Sequence, residues 1–387
     1  MSEETNRKES RESLYHNKMF IVICIASIVV AVGIFVLLIN GYINKQYRSY
    51  EVLEEMQRQD SDAEKYICRN GSLLKYSKDG ISGTDMTGKT LWTGSYEMGN
   101  PYVEMCGDYI VAADIGGKDA VIYDKEHSAT EISVDYEIKQ ARVSRQGLVA
   151  LLLEDNSSNM INIYNPYDVS SKLLVKIPTN VDDGYPVAMA LAPDGTSVVA
   201  SYLCVVSGKL ESRVVFYNFT DVGKNSDCIV GAKNYRNSLV TDIQYLDDDR
   251  VCLFADNGYY IWKDMKRPSQ LVRKKVKDQI KSVLYDKDNI GLVLETGHKK
   301  NPYRMQVYDG KGTKKTDFVF NYDYNDIEMT GNEILFHSAK KCGIFRLNGV
   351  LRFYAGIEDG VDYFFPTGQR NRYYIFNDGM IRKIKLK

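Results

Sequence analysis

Between Ser72 and Trp92 the chain reads SLLKYSKDGISGTDMTGKTLW: an apolar run, a turn at Asp79-Gly80, a second run, a turn at Thr87-Gly88, and a third run ending on tryptophan. The rhythm returns as YIVAADIGGKDAVIYD (109–124), LVALLLEDNSSNMINIYNP (148–166) and, with a longer loop, SVVASYLCVVSGKLESRVVFYNFTD (197–221). RVCLFADNGYYIWKD (250–264), IGLVLETGHKKNPYRMQVYDGKG (290–312), EILFHSAKKCGIFRLNG (333–349) and RYYIFNDGMIRKIKLK (372–387) complete it. Eight hairpins, the first counted from Leu73, therefore begin 36 to 53 residues apart, about 43 on average. Their second strands tend to end aliphatic–aromatic–polar, as in Ile122-Tyr123-Asp124, Ile163-Tyr164-Asn165, Phe216-Tyr217-Asn218, Ile261-Trp262-Lys263 and Val307-Tyr308-Asp309.

Short apolar runs broken by Gly, Asp and Asn are strands, and this spacing predicts an all-β chain. Self-similarity at 40–50 residues points to a β-propeller, whose blades are four-stranded sheets around an axis. A pair of β-sandwiches explains the strands but not their spacing. Each hairpin is flanked as a blade requires. An axis-lining strand precedes it (PYVEMCG, PVAMALAPDG, LVTDIQYLDDD) and an edge strand follows (KTLWTGSYE, SKLLVKIP). Eight blades are expected over residues 64–387, with seven the alternative.

The last hairpin ends at Lys387, so the eighth blade lacks an outer strand. Tyr47–Gln57, YRSYEVLEEMQ, lies just before the first blade and is available to close the ring, which would remove two exposed edges at once. The competing reading of the 41–63 segment is a helical stalk, because Tyr47, Tyr50, Leu53 and Met56 also recur every three to four residues.

One stretch departs from the β pattern. Met19 to Ile39 is uncharged over 21 residues, and as a helix would span about 31 Å, close to a bilayer's hydrocarbon core. A cleavable signal peptide has a shorter apolar region and a small-x-small exit, whereas LLINGYINK is bulky. The expectation is an uncleaved signal anchor over residues 19–40. The tail, residues 1–18, carries Arg7, Lys8, Arg11 and Lys18, and Gly41–Arg58 carries Lys45, Arg48 and Arg58. Counting Lys and Arg alone puts the tail in the cytoplasm and the propeller outside the membrane.

Three resemblances sharpen this picture. ALAPDGTSVVASY (190–202) resembles the SPDG blade motif of WD40-like and TolB-type propellers, with Pro193-Asp194-Gly195 as its turn. TGKTLW (87–92) resembles the turn-and-strand of quinoprotein-like propellers, which implies that Trp92 packs between blades. Across about residues 50–125, the order SYEV, KYSKDGISGTD, GKTLW, SYEMGNPYVEMCGDYIVAAD and VIYD resembles the domain-of-unknown-function 5711 family. That family comprises uncharacterised membrane-anchored proteins of Gram-positive anaerobes. The resemblance implies a single-pass envelope protein and brings no activity with it.

Composition narrows the function further. A formal net charge of −1 argues against a nucleic-acid binder, which needs a broad basic surface. The 29 tyrosines fit a half-buried β surface. Cys68, Cys106, Cys204, Cys228, Cys252 and Cys342 follow the apolar run, which itself holds Cys24; none is in a CxxC pair, and free thiols are expected. His127, His298 and His337 are scattered, with no HExxH, and no GxSxG elbow is present. Asp247-Asp248-Asp249 occupies the turn where the fourth blade has Pro-Asp-Gly, so it reads as a solvated turn rather than a calcium loop. Gly116-Gly117 reads as a hairpin turn. Lys263–Lys281, with eight basic residues, reads first as a charged outer strand and second as a contact for anionic lipid or wall polymer.

No catalytic, cofactor or metal residue is assigned. The expected role is a non-enzymatic envelope scaffold, held in the bilayer by Met19 to Ile39, that binds another envelope protein or a wall polymer. The alternative is an enzyme or ligand sensor at the axial channel, where Glu104, Asp242, Glu328 and Asp362 are expected to converge.

Overall fold

The strands that read as unbroken apolar runs are those covered on both sides. Val149–Glu154 is buried along all but its last residue, and Asn159–Tyr164 along all but its first. Ser269–Lys275, by contrast, alternates with most of its residues exposed. A sheet standing edge-on between two others produces this difference: its middle strands lie inside, and its last strand meets water.

The computed structural model describes residues 25–37, 41, 44–58, 64–69, 72–85, 89–155, 158–168, 172–179, 184–224, 227–377 and 379–387. Among these, 32 strands form eight separate four-stranded antiparallel sheets. Seven sheets use four consecutive strands, here A to D, within residues 65–95, 101–133, 137–179, 185–236, 240–275, 279–320 and 326–356. They are blades 1 to 7 of an eight-bladed propeller. A strands of neighbouring blades touch one another for blades 2 through 5 and for blades 6 and 7, which places them around the axis.

Blade 8 takes Tyr363–Pro366, Arg372–Asn377 and Met380–Leu386 from the C-terminal end and Tyr50–Gln57 as its outer strand. The closing strand thus forms as a strand, not a stalk. Glu51, Glu54 and Glu55 pair with Lys387, Lys383 and Arg382 at 2.9, 2.9 and 2.5 Å. An acidic strand against a basic one sets the register Tyr50↔Leu386 through Gln57↔Met380. Tyr47 extends the closure by pairing with Phe353 of blade 7.

The core is divided. Eight buried apolar clusters each lie between two successive blades. The aromatic near the end of the C strand in blades 2 to 7 carries this packing. Tyr123, Tyr164, Tyr217, Trp262, Tyr308 and Phe345 each join the cluster shared with the preceding blade. In blades 3 to 7 the D strand has a register shift beside that aromatic. The extra residue bends the rim strand away while the ring turns inward. Trp92 sits between blades as expected, 5.6 Å from Tyr123 and 4.3 Å from His127.

Of the run Met19–Ile39, residues 25–37 form a helix with an exposed apolar surface. Its remaining residues, the tail 1–18, Cys24 and the turn at Thr87-Gly88 lie outside the described residues. No described helix is long and apolar enough to cross a membrane.

Candidate functional site

The A strands present one edge to the axis, and polar side chains of blade 3 cover part of the edge of its neighbour. Gln140 of blade 3 spans to blade 4, donating to the Val187 carbonyl at 2.9 Å and accepting from the Met189 amide at 3.0 Å. Arg142, two residues on, donates through Nε to the Met189 carbonyl at 3.1 Å and through Nη1 to the Tyr102 hydroxyl of blade 2 at 2.9 Å. Glu104 lies 3.6 Å from the same Nη1. Side chains of blade 3 thus satisfy backbone groups that the next blade leaves unpaired.

Burial works against the charge on Arg142, but Glu104, Tyr102, Asp242 and Tyr285 together raise its affinity for the proton. Asp242 belongs to blade 5 and Tyr285 to blade 6, so a guanidinium of blade 3 lies within the field of groups across the ring. Asp242 also accepts from Gln244 at 2.9 Å. A buried cation compensated from several blades holds their inner strands in one arrangement.

The four carboxylates do not share one centre. Glu104 and Asp242 belong to the Arg142 network. Glu328 of blade 7 is largely buried, and burial first, with Asp326 adding, pushes its carboxyl up to about 7. It raises in turn the Cys68 thiol of blade 1, which burial chiefly drives up to about 11. Asp362 precedes the A strand of blade 8 and pairs with Arg58 at 3.3 Å, in a surface groove that His337 and Asp326 also line. The reason is local: blade 8 starts its inner strand late, at Tyr363, leaving Asp362 in the loop.

The remaining candidates are placed singly. His127 caps a turn against Trp92, His298 lies in the blade 6 loop, and His337 is buried with Nε2 3.9 Å from Asp326. Among the described residues no three His, Cys, Asp or Glu groups are placed to hold a metal ion. The six described cysteines are free thiols. Asp247 closes its turn by accepting from Asp249 and Arg250 amides, while Asp248 pairs with Arg145 at 2.6 Å. The basic run falls across the D strand of blade 5, Ser269–Lys275.

The largest departure from the regular ring is in blade 4. Its middle strands, Ser197–Val206 and Lys209–Asn218, are ten residues each, and their partners in the other blades have five to seven. The turn at Ser207-Gly208 has φ of 52° and 76°. At the projecting tip Val205 is 70% exposed, with Val206 and Leu210 close to half exposed. Below the tip, a groove of about 610 Å³ runs between blades 3 and 4, lined by Lys176, Ile177, Tyr202, Arg213, Val215 and Ile229 among others. The sequence signalled the length of this hairpin, whereas no local pattern singles out Gln140 or Arg142.

A family model described as "Family of unknown function (DUF5711)" matches residues 43–386. No curated protein matches the chain. Among solved structures, Sqt1 from Chaetomium thermophilum is similar with a TM-score of 0.55 and 11% identity, covering 88% of this chain and 100% of Sqt1. Sqt1 from the same organism bound to the N-terminus of the ribosomal protein L10 gives 0.51 and 12%, over 82% of this chain and 94% of that one. BamB from Moraxella catarrhalis gives 0.52 and 13%, over 87% and 100%. At these identities the likeness is one of fold.

Proposed function

We propose that this chain, which belongs to the DUF5711 family, is a membrane-anchored, non-enzymatic scaffold whose propeller binds another protein of the cell envelope. The observation that carries the reading is the apolar tip of the blade 4 hairpin. Val205, Val206 and Leu210 stand together at one projecting tip, whereas the other exposed aliphatic strand residues, Leu91 and Val319 among them, lie on the outer D strands. Exposed aliphatic side chains on a rigid projection mark a contact surface for a partner.

The geometry suits an anchored platform. Gln57 pairs near the turn joining strands B and C of blade 8, and Tyr50 pairs at the opposite end. The blade 4 tip is also a B–C turn, so residues 44–49 enter on the face away from it. With Met19 to Ile39 in the bilayer and the tail in the cytoplasm, the hairpin would face outward. The apolar run, its length and the Lys/Arg balance support that placement. The Sqt1 complex supports the kind of interaction, a propeller holding a segment of another protein.

The test is crosslinked affinity purification of the full-length protein from its own membranes, compared with the Val205→Ser, Leu210→Ser double variant. A stoichiometric protein is expected with the parent and lost with the variant, while thermal stability stays within about 1 kcal/mol, as for surface changes. Equal recovery from both overturns the tip as the contact. Digestion of the propeller by protease added to intact cells checks the orientation; resistance argues against it.

A further inference from the structure

On the face where the chain enters the ring, the closing segment crosses from blade 7 to blade 8 and roofs a cleft of about 420 Å³. Four arginines line it, Arg346, Arg352, Arg370 and Arg372, against the single carboxylate of Glu333. Glu333 is already engaged: it accepts from the Tyr373 hydroxyl at 2.6 Å and pairs with Arg352. Arg352 is bonded further to Tyr373 and Asn371, and Asn371 to the Tyr47 hydroxyl at 2.8 Å, so the walls are fixed from both blades. Arg346 is held through Nη2 by the Lys45 carbonyl at 2.9 Å.

Two features point to an anion. The Nε–H groups of Arg346 and Arg352 are buried and have no acceptor among the described residues, an expensive condition for a charged donor. Arg346 is also desolvated, which pulls its guanidinium below its ordinary value despite Tyr47 and Tyr373. A tetrahedral oxyanion supplies several acceptors at once and matches the planar fork of arginine, which lysine does not.

We propose that this cleft binds a phosphate group. Two sources share that chemistry: the headgroup of an anionic phospholipid, which the neighbouring chain entry would bring within reach, and a free phosphate or phosphomonoester. The site stands whether or not the chain is anchored; the anchor decides only which phosphate it meets.

The experiment is calorimetric titration of the full-length protein in neutral detergent with inorganic phosphate, with dihexanoyl phosphatidylglycerol and with dihexanoyl phosphatidylcholine. Saturable binding of phosphate or phosphatidylglycerol is expected, weakened at least tenfold in Arg346→Gln, Arg372→Gln. The exposed Arg370→Gln keeps the test open should that double variant fail to fold, with a loss of about threefold. Tighter binding of phosphatidylglycerol than of both other ligands assigns the lipid headgroup. Equal binding of phosphate and phosphatidylglycerol assigns the free group. Absence of saturable binding to any ligand, or binding unchanged in both variants, overturns the site.

Discussion

Single residues show how the ring handles charge. Glu328 keeps its proton in the folded protein up to about pH 7, whereas an ordinary glutamate releases it near 4.5. The folded state therefore binds more protons between these values. Its stability is greatest below the lower value and declines as pH rises toward 7, by about 3 kcal/mol at most for this one group. Glu328→Gln should flatten the dependence of Tm on pH between 5 and 7.5 and stabilise the protein above pH 7. An unchanged profile would remove Glu328 as the cause. At Trp262, Nε1 donates to the Tyr235 hydroxyl at 2.8 Å in a buried setting. Trp262→Phe should cost about 1–2 kcal/mol in denaturant unfolding, since it strands that hydroxyl and loses ring area between blades; a neutral change would contradict the packing role.

At the scale of elements, the strand turns obey backbone sterics and the closure obeys edge pairing. Gly258 opens the C strand of blade 5 with φ of 145°, and a Cβ there would run into the carbonyl oxygen of Lys274 on the adjacent D strand. Gly258→Ala should destabilise by at least about 2 kcal/mol, from strain together with a broken rung; full retention of Tm would refute this. The closing strand behaves differently. Its ion pairs are mostly exposed and contribute little individually. What it supplies is a partner for the edge of Met380–Leu386. Deleting residues 50–57 should lower Tm by several degrees and produce association on size exclusion through the bared edge. A monomer of unchanged Tm would mean that closure is dispensable.

For the whole molecule, stability resides in the interfaces between blades rather than in any blade. Every described cluster is shared by neighbours, including the one joining blades 8 and 1 through Tyr66, Phe365, Tyr374 and Phe376. Unfolding should be one transition. The two tryptophans serve as probes, Trp92 between blades 1 and 2 and Trp262 between blades 4 and 5. Fluorescence from Trp92 alone, from Trp262 alone and far-ultraviolet circular dichroism should give coincident denaturant midpoints. Separate midpoints would show that the ring opens in parts.

Most of this architecture was written along the chain because it is built from local repeats. A hairpin every 43 or so residues, most ending in an aromatic, is a property of consecutive residues, and it foretold the blades, their strand order and the missing eighth outer strand. The choice between stalk and closing strand for Tyr47–Gln57, with closure the favoured reading, was not settled locally; pairing with Met380–Leu386 decided it, because only there do Glu51, Glu54 and Glu55 meet Lys387, Lys383 and Arg382. The same limit applies to the sites. Glu104, Asp242, Glu328 and Asp362 all looked axial, and the closed ring keeps only Glu104 and Asp242 in one network. Arg346, Arg352, Arg370 and Arg372 face one cleft only because blade 8 packs on blade 7 under the returning chain. Repetition along the chain determines the kind of fold; which charges meet, and with what burial, depends on distances set by the closed ring.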